Sequence, residues 1–472
     1  MQFGAFMRWG RSAASVACGL FLCFLGSTQL CFAQEPPLDV PLNRLPARDP
    51  DAITIDGWQL YPTLRTYSLW SDNLFLSPTG PITAAGVGVT PSLAAVWSNG
   101  IHTTTLYGNL DRQVYPTQNE INTLDGRAGF TQRYEAMRDL IFTANGDYTH
   151  QTWATGLQGS IPIPATTPTT AVLPNGNTVL PNGTILSPSG QPVGQVTQPT
   201  GSLLPLIVNP HDQYTGAFSV DKIFNRGILS LRGTVIRTEY DNQSVLKNTE
   251  SRTLTEHAGA WLGPLFYAYS DGSIGKVITE ALSTSTTSYR VIGGLGTRRF
   301  GELYQGSVYF GHQGSQIDST TGLQNSTTGG GDVYGASISY YPTSKLTFIG
   351  TLDRTINISS QASATNLALT LPSFAGVQVP LTASTRITSG SLQSNYQITP
   401  QWFATALAGY TRINYIGSAR VDNSWVVDAT LRYDIWHDMS LNWEYRYRSI
   451  VSNAPLVSAT SNYFMMGATY KF

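Results

Sequence analysis

Cysteine is almost missing from this chain. Of 472 residues three are Cys, and Cys18, Cys23 and Cys31 all sit in the first thirty-one. Charge is also scarce: Asp, Glu, Lys and Arg make up 12%, and 28 Lys+Arg against 29 Asp+Glu leave a net charge of -1. That balance offers no electrostatic footprint for nucleic acid, so no nucleic-acid partner is expected. Long apolar runs are missing as well, because nothing after the first thirty-odd residues approaches the ~20 consecutive apolar residues that a membrane-spanning helix needs. What the chain has instead is 45 Gly, 24 Tyr, 18 Phe and 10 Trp. Aromatics at 11% are too plentiful for a chain that never packs, which excludes disorder throughout.

Residues 1–33 read as a secretory signal peptide. Arg8 and Arg11 form a basic start, Ala13 to Leu25 is apolar apart from Ser15 and Gly19, and Cys31-Phe32-Ala33 supplies small residues before Gln34. A lipoprotein cleavage before Cys18 is disfavoured, because most of the apolar core would follow it. The exported chain would then contain no cysteine, which excludes disulfides and thiol chemistry. Its balance becomes 26 basic against 29 acidic residues, or -3.

A chain without apolar helices can still cross a bilayer as a closed β-barrel, which satisfies every backbone group internally. The signature is ~10-residue segments of alternating hydrophobicity between turns. Residues 440–449 show it most clearly: Leu441, Trp443, Tyr445 and Tyr447 share one face, and Asn442, Glu444, Arg446 and Arg448 the other. The pattern repeats. Strands are expected near 58–70, 86–97, 101–112, 122–133, 139–150, 211–223, 227–240, 251–262, 264–275, 286–299, 303–314, 329–341, 345–358, 383–397, 401–415, 421–434, 438–450 and 460–472. Those near 251–275 are the weakest, since Glu256 and His257 fall on opposite faces. The predicted fold class is all-β, a transmembrane antiparallel barrel of about 18 strands (16–18).

Turn lengths supply an independent signal. Links after even-numbered strands are short (Ser98-Asn99-Gly100, Asn225-Arg226, Pro342-Thr343-Ser344), and those after odd-numbered strands are mostly longer. Outer-membrane barrels have this asymmetry of short periplasmic turns and long extracellular loops. Residues 34–57, with Pro36, Pro37, Pro41, Pro46 and Pro50, read as an extended periplasmic lead-in to a barrel over 58–472. Residues 151–210 hold no Asp, Glu, Lys or Arg and repeat Leu173-Pro-Asn-Gly, Leu180-Pro-Asn-Gly and Ser187-Pro-Ser-Gly every seven residues. Pro and Gly at those positions suit turns, so this stretch reads as one large external loop. Trp58, Trp70, Trp97, Trp402, Trp425, Tyr340 and Tyr341 cluster near strand ends, where an interfacial girdle belongs. The final Phe464-to-Phe472 strand, with Phe464, Tyr470 and Phe472 on its apolar face, resembles the C-terminal signature read by the barrel-assembly machinery.

The stretch from Arg48 to Pro78 carries a further likeness. Its Gly57-to-Pro62 segment and Asp72-Asn73 step, with Thr90-Pro91-Ser92-Leu93 following, resemble the opening of the Putative β-barrel porin 2 family of Gram-negative outer-membrane proteins. The resemblance implies a large outer-membrane barrel, a porin label and, for some members, company with exopolysaccharide export. It brings no catalytic residues.

No enzyme is expected. Six histidines (His102, His150, His211, His257, His312, His437) show no metal-ligand spacing, so no metal site is predicted. Ser315 near His312 and Ser98 near His102 lack a third partner for nucleophilic catalysis. Gly293-Gly294-Leu295-Gly296 has no helix after it and reads as a strand interior rather than a cofactor's phosphate loop. The functional candidates are charges on inward faces: Arg127, Arg133, Arg232, Arg290, Arg298, Arg432, Arg446 and Arg448, with Asp125, Asp147, Asp353, Asp428 and Glu444. A charge facing lipid at mid-membrane costs ~2–4 kcal/mol, which argues that these point into the lumen. They would line a pore, where an excess of Arg favours anions, or form ion pairs that brace the wall. The sequence therefore predicts a passive channel for small hydrophilic solutes, with a barrel accessory to exopolysaccharide export as the alternative. Outer-membrane lipid, lipopolysaccharide and the barrel-assembly machinery are its expected partners, with polysaccharide-export proteins added in the alternative.

Overall fold

The computed structural model describes residues 52–78, 80–155, 206–241, 248–280, 284–300, 303–319, 327–343, 345–358, 384–416, 419–436, 438–454 and 457–472, with four short pieces between 171 and 195. Eighteen long strands run in chain order: β1 Trp58–Ser71, β2 Ala84–Ser98, β3 His102–Val114, β4 Thr123–Met137, β5 Leu140–Thr155 and β6 Leu206–Phe224. Then come β7 Gly227–Tyr240, β8 Thr249–Trp261, β9 Phe266–Thr279, β10 Thr284–Phe300, β11 Tyr304–Ser319 and β12 Thr327–Thr343. The last six are β13 Leu346–Ile358, β14 Ser384–Gln397, β15 Trp402–Tyr415, β16 Val421–Asp434, β17 Met439–Ser452 and β18 Ala459–Lys471.

Each strand pairs antiparallel with the next, and β1 pairs with β18 from Thr63↔Lys471 to Ser71↔Tyr463, so the sheet closes on itself. Closure removes the unpaired edges that would otherwise need satisfying. All eighteen expected strands are present, each overlapping its predicted segment. Links are short at one end and mostly longer at the other, as the turn residues required. No helix among the described residues is long and apolar enough to cross a membrane, and the crossing falls to the strands.

The alternation sorts side chains by solvent. Val87, Leu93, Leu110, Phe218, Leu254, Val291, Phe310, Leu392 and Trp425 face outward and are exposed, whereas their strand neighbours face the interior. So much outward apolar surface belongs in lipid. Near the short-link end, aromatics stack round the outside: Trp402 on Tyr433 at 4.5 Å, Tyr304 on Tyr340 at 4.7 Å and His102 on Tyr134 at 4.6 Å. Trp58 and Trp97 meet at 6.4 Å in the same belt. Tyr341 departs from expectation: its position in β12 turns it inward, where it is buried.

Two other expectations change. The large loop is shorter than 151–210, because β5 and β6 pair beyond the predicted ends, as far as Thr155 and Leu206. Within it Ala171–Val172, Thr178–Val179, Thr184–Leu186 and Pro192–Gln195 form a small antiparallel sheet. The three Pro-containing repeats fall in the links of that sheet, which lie outside the described residues. Residues 1–51, including the predicted signal peptide, also lie outside them. The end of the lead-in is a hairpin rather than an extended arm. Ile53–Ile55 folds back on β1 through Asp56 (φ 48°) and Gly57 (φ 82°), the paired positive φ that a two-residue turn of this twist demands.

Inside the barrel, tyrosines lie flat across glycines of the adjacent strand: Tyr67 over Gly88, Tyr269 over Gly294 and Tyr309 over Gly335. A Cβ at Gly294 would sit inside the Tyr269 ring. Tyr269 in turn packs with Ile292, Tyr309, Val333 and Ile356. Gly294→Val should therefore destabilise the barrel by about 1–3 kcal/mol through overpacking, read as a lower urea midpoint of the refolded protein. An unchanged midpoint would show that the ring is free to move aside.

Candidate functional site: the charged lumen wall

The register places every described candidate on the inward face: Asp125, Arg127 and Arg133 on β4, Asp147 on β5, Arg232 on β7 and Arg290 on β10. Asp353 on β13, Asp428 and Arg432 on β16, and Glu444, Arg446 and Arg448 on β17 follow. The backbone of Arg298 belongs to β10, but its side chain lies outside the described residues. Phe464 and Tyr470 are exposed on the outward face of β18; Phe472, also exposed, follows its end and donates its N–H to the Pro62 carbonyl at 3.1 Å.

These charges do not act singly. Arg446 is bridged between Asp428 and Glu444, each at 2.7 Å. Arg127 Nε lies 2.7 Å from Asp147, which also accepts the Tyr107 hydroxyl at 2.5 Å. Arg133 pairs with Glu135 at 3.0 Å and Arg432 with Asp434 at 2.6 Å, both two residues along the same strand face. Asp125 instead accepts the backbone N–H and the hydroxyl of Thr152, at 2.7 and 2.8 Å.

Residues that the sequence reading passed over complete the site where β1 closes on β18. Tyr67 donates to both carboxylate oxygens of Asp111, at 2.7 and 2.9 Å, and Thr90 and Gln113 donate to the same group. Arg65 lies 5.1 Å over the Tyr67 ring with Nη2 3.0 Å from Met465 Sδ. Arg65, Arg446 and Arg448 all lie within electrostatic reach of Glu444. Arg65, Arg232 and Arg448 form no ion pair among the described residues. Each has a carboxylate nearby without a direct pair: Glu444 for Arg65 and Arg448, and Asp221 for Arg232.

The predicted Arg excess needs correction. Asp111, Glu135, Asp221, Asp271, Asp422 and Asp434 also face inward. The lumen is thus close to charge-balanced, and any anion preference has to come from the unpaired Arg65, Arg232 and Arg448. The facing wall carries its own side-chain bonds. His257 bonds Asp271, Tyr309 bonds Asp353, Arg290 lies 5.2 Å over the Tyr309 ring, and Gln313 donates to the Ile356 carbonyl at 2.5 Å.

The serine–histidine neighbours are not brought together. His312 faces outward and Ser315 inward, while the Ser98 hydroxyl bonds Thr103 at 3.0 Å. Several charges lie outward near the long-link strand ends, among them Asp212, Arg237, Arg252, Asp332 and Arg412. Glu256 departs from the rule used to sort charges inward. It is exposed on the outward face close to the middle of β8.

Among curated proteins the chain finds no match. Its solved likenesses include the outer membrane protein OpdK of Pseudomonas aeruginosa, at 10% identity and TM-score 0.43 over 88% of this chain and 99% of that one. OpdL of Pseudomonas aeruginosa is similar at 12% identity and TM-score 0.42, over 89% of this chain and 100% of that one. A BenF-like porin from Pseudomonas fluorescens Pf-5 is similar at 10% identity and TM-score 0.44, over 89% and 99%. The family described as Putative beta-barrel porin 2 matches residues 195–472, which is β6 to β18 and more than half of the chain. With a closed eighteen-stranded wall, an apolar outside and a polar inside, the chain belongs to this family and is a porin-like outer-membrane barrel.

Proposed function

We propose that the barrel is a passive channel for small hydrophilic solutes. The observation that carries this reading is the charge-paired inward wall around Arg65, Glu444, Arg446 and Arg448. Barrels of 16–18 strands leave room for an aqueous channel. Paired charges keep such a wall wettable without holding one ion tightly, and the unpaired Arg65 and Arg448 offer an anionic group a weak resting place. The family match supports a channel rather than an enzyme. A role beside exopolysaccharide export draws no support from the family match or from this wall.

In this reading the chain leaves the cytoplasm of a Gram-negative cell by way of residues 1–33. The assembly machinery then engages the Phe464, Tyr470 and Phe472 face, and the finished barrel is surrounded by lipid and lipopolysaccharide. Single-channel recording of the refolded protein in a planar bilayer tests the proposal. Steady, reproducible steps are expected. A folded barrel that gives no conductance would overturn the passive channel.

A further inference from the structure

The wall changes course between β12 and β13. Their pairing runs from Thr343↔Leu346 to Tyr334↔Arg354 and stops there. β12 carries on along β11 as far as Ile317↔Thr327, and β13 carries on along β14 as far as Ile358↔Ser384. Residues 327–333 of β12 therefore present an edge with no β13 residue paired to it.

Ile356 shows where β13 has gone. Counted in twos from the outward Leu352 and Arg354 it should face lipid, yet it is buried against Ile292, Tyr309 and Val333, which face inward. Its Cδ1 lies 3.1 Å from the place that a Cβ on Gly331 would take. Gln313, reaching from β11, donates to the Ile356 carbonyl at 2.5 Å and accepts its N–H at 3.3 Å, so a side-chain amide stands in for the missing strand. β13 thus passes behind β12, and glycine at 331 leaves room for it. On the lipid side this makes a step in the wall, close to the long-link end.

Three guanidiniums surround the step. Arg354 lies 5.3 Å over the Tyr334 ring. Arg386 stands opposite Ile356 on β14, with its Nη2 3.8 Å from the Cβ position of Gly331. Arg412 is exposed and shares the row of Arg354 across Thr388. None of the three forms an ion pair or hydrogen bond among the described residues, and the Nε atoms of Arg354 and Arg386 are buried without a partner. Asp332, the carboxylate on the free edge of β12, bonds His312 at 3.4 Å. Buried donors on a charged group are costly when left unmet, and a guanidinium matches phosphate oxygens with two parallel N–H donors. Towards the middle of the wall the same outward face turns apolar, with Leu352, Leu392 and Trp425 exposed. Cations above and apolar side chains below follow the order of headgroup and acyl chain in a lipid.

We propose that the step is a phosphate site, filled by the headgroup of an outer-leaflet lipid whose acyl chains lie along Leu352 and Leu392. The phosphate accepts from Arg354 and Arg386, with Arg412 at its rim, and covers the edge that β12 leaves open. The long-link end is the outer end of such a barrel, which sets the leaflet. The inference rests on the barrel's place in the membrane and not on what crosses the lumen.

The test titrates the full chain, refolded in dodecyl maltoside, with bisphosphorylated lipid A and counts the lipids held per barrel by native mass spectrometry. One tightly held lipid is expected. Removing the phosphates from the lipid should weaken binding about tenfold or more, and so should the double variant Arg354→Gln, Arg386→Gln. Arg237→Gln with Arg252→Gln, which removes two cations from another part of the outward face, should change binding by less than about twofold. Retained heat-modifiable gel mobility checks that each variant is folded. Equal binding of the dephosphorylated lipid, no loss in the Arg354, Arg386 variant, or an equal loss in the Arg237, Arg252 control would overturn the proposal. Displacement of the lipid by excess inorganic phosphate would overturn it too, because the step would then belong to a free anion.

Discussion

The double variant Arg65→Gln, Arg448→Gln should shift the channel's ion selectivity towards cations, lowering the anion-to-cation permeability ratio about three- to tenfold. The argument is electrostatic. Arg446 is held between Asp428 and Glu444, and Arg127 beside Asp147, so each of these pairs has little net field a few ångströms away. Arg65 and Arg448 have no such partner among the described residues, yet they lie close to Glu444. Removing them leaves Asp111, Asp428 and Glu444 with less opposing charge. At about 8 Å in water each unit charge contributes roughly 0.5 kcal/mol to an anion and the opposite to a cation, so two would change the ratio by about thirtyfold unscreened, and salt reduces this to the stated range. The reversal potential should be taken in a dilute salt gradient, because 1 M salt screens beyond about 3 Å. Arg127→Gln is the contrasting variant: it strands Asp147 and should lower stability as well as alter selectivity. A double variant with wild-type reversal potential would show that the unpaired guanidiniums do not face the permeation path.

Asn73→Ala should be the most destabilising single change outside the strands, at about 2–4 kcal/mol. Asn73 is 5% exposed and ties the first long-end link to the last strand. Its Nδ2 donates to the Ser77 carbonyl at 2.9 Å and the Thr460 carbonyl at 3.0 Å, and its Oδ1 accepts the Ser77 N–H at 2.9 Å. Beside it, Asp72 accepts the Asn462 backbone N–H at 2.7 Å and the Asn462 side-chain amide at 2.6 Å. Leu76, held at φ 51° with its N–H on the Asn73 carbonyl, is buried among Ile450, Val457 and Ala459. This latch sits just past the last β1–β18 pair, Ser71↔Tyr463, so it secures the join between the two ends of the barrel. Alanine would leave buried backbone groups without partners while the seam loses its clasp. The check is the urea midpoint in detergent micelles; a midpoint equal to wild type would mean that the join is secured by strand pairing alone. The Asp72-Asn73 step was one of the features behind the family resemblance, and its work here is structural.

The eighteen strands and their facing were legible because a barrel in a bilayer has lipid on one side and water on the other. That contrast writes itself into every strand with a period of two, as in Leu441 to Arg448, and no long-range knowledge is needed to read it. Where the contrast blurs, reading failed. β1 carries Leu60, Leu64 and Trp70 outward but Tyr67 and Leu69 inward, so Arg65 did not stand out. The latch was visible as a motif but not as a clasp, because its partners Thr460 and Asn462 lie at the other end of the chain.

Facing was set locally, but partnership was not. Arg446 meets Asp428 across a strand pair, Arg127 meets Asp147, and Arg65 meets Met465 only because β1 closes on β18. Which residues stand opposite one another depends on the stagger at which strands pair and at which the barrel closes. A period of two is the same for every stagger that preserves facing. The clasp at the seam and the meeting of Arg65 with Met465 are therefore products of closure, and they appear only once the last strand has met the first.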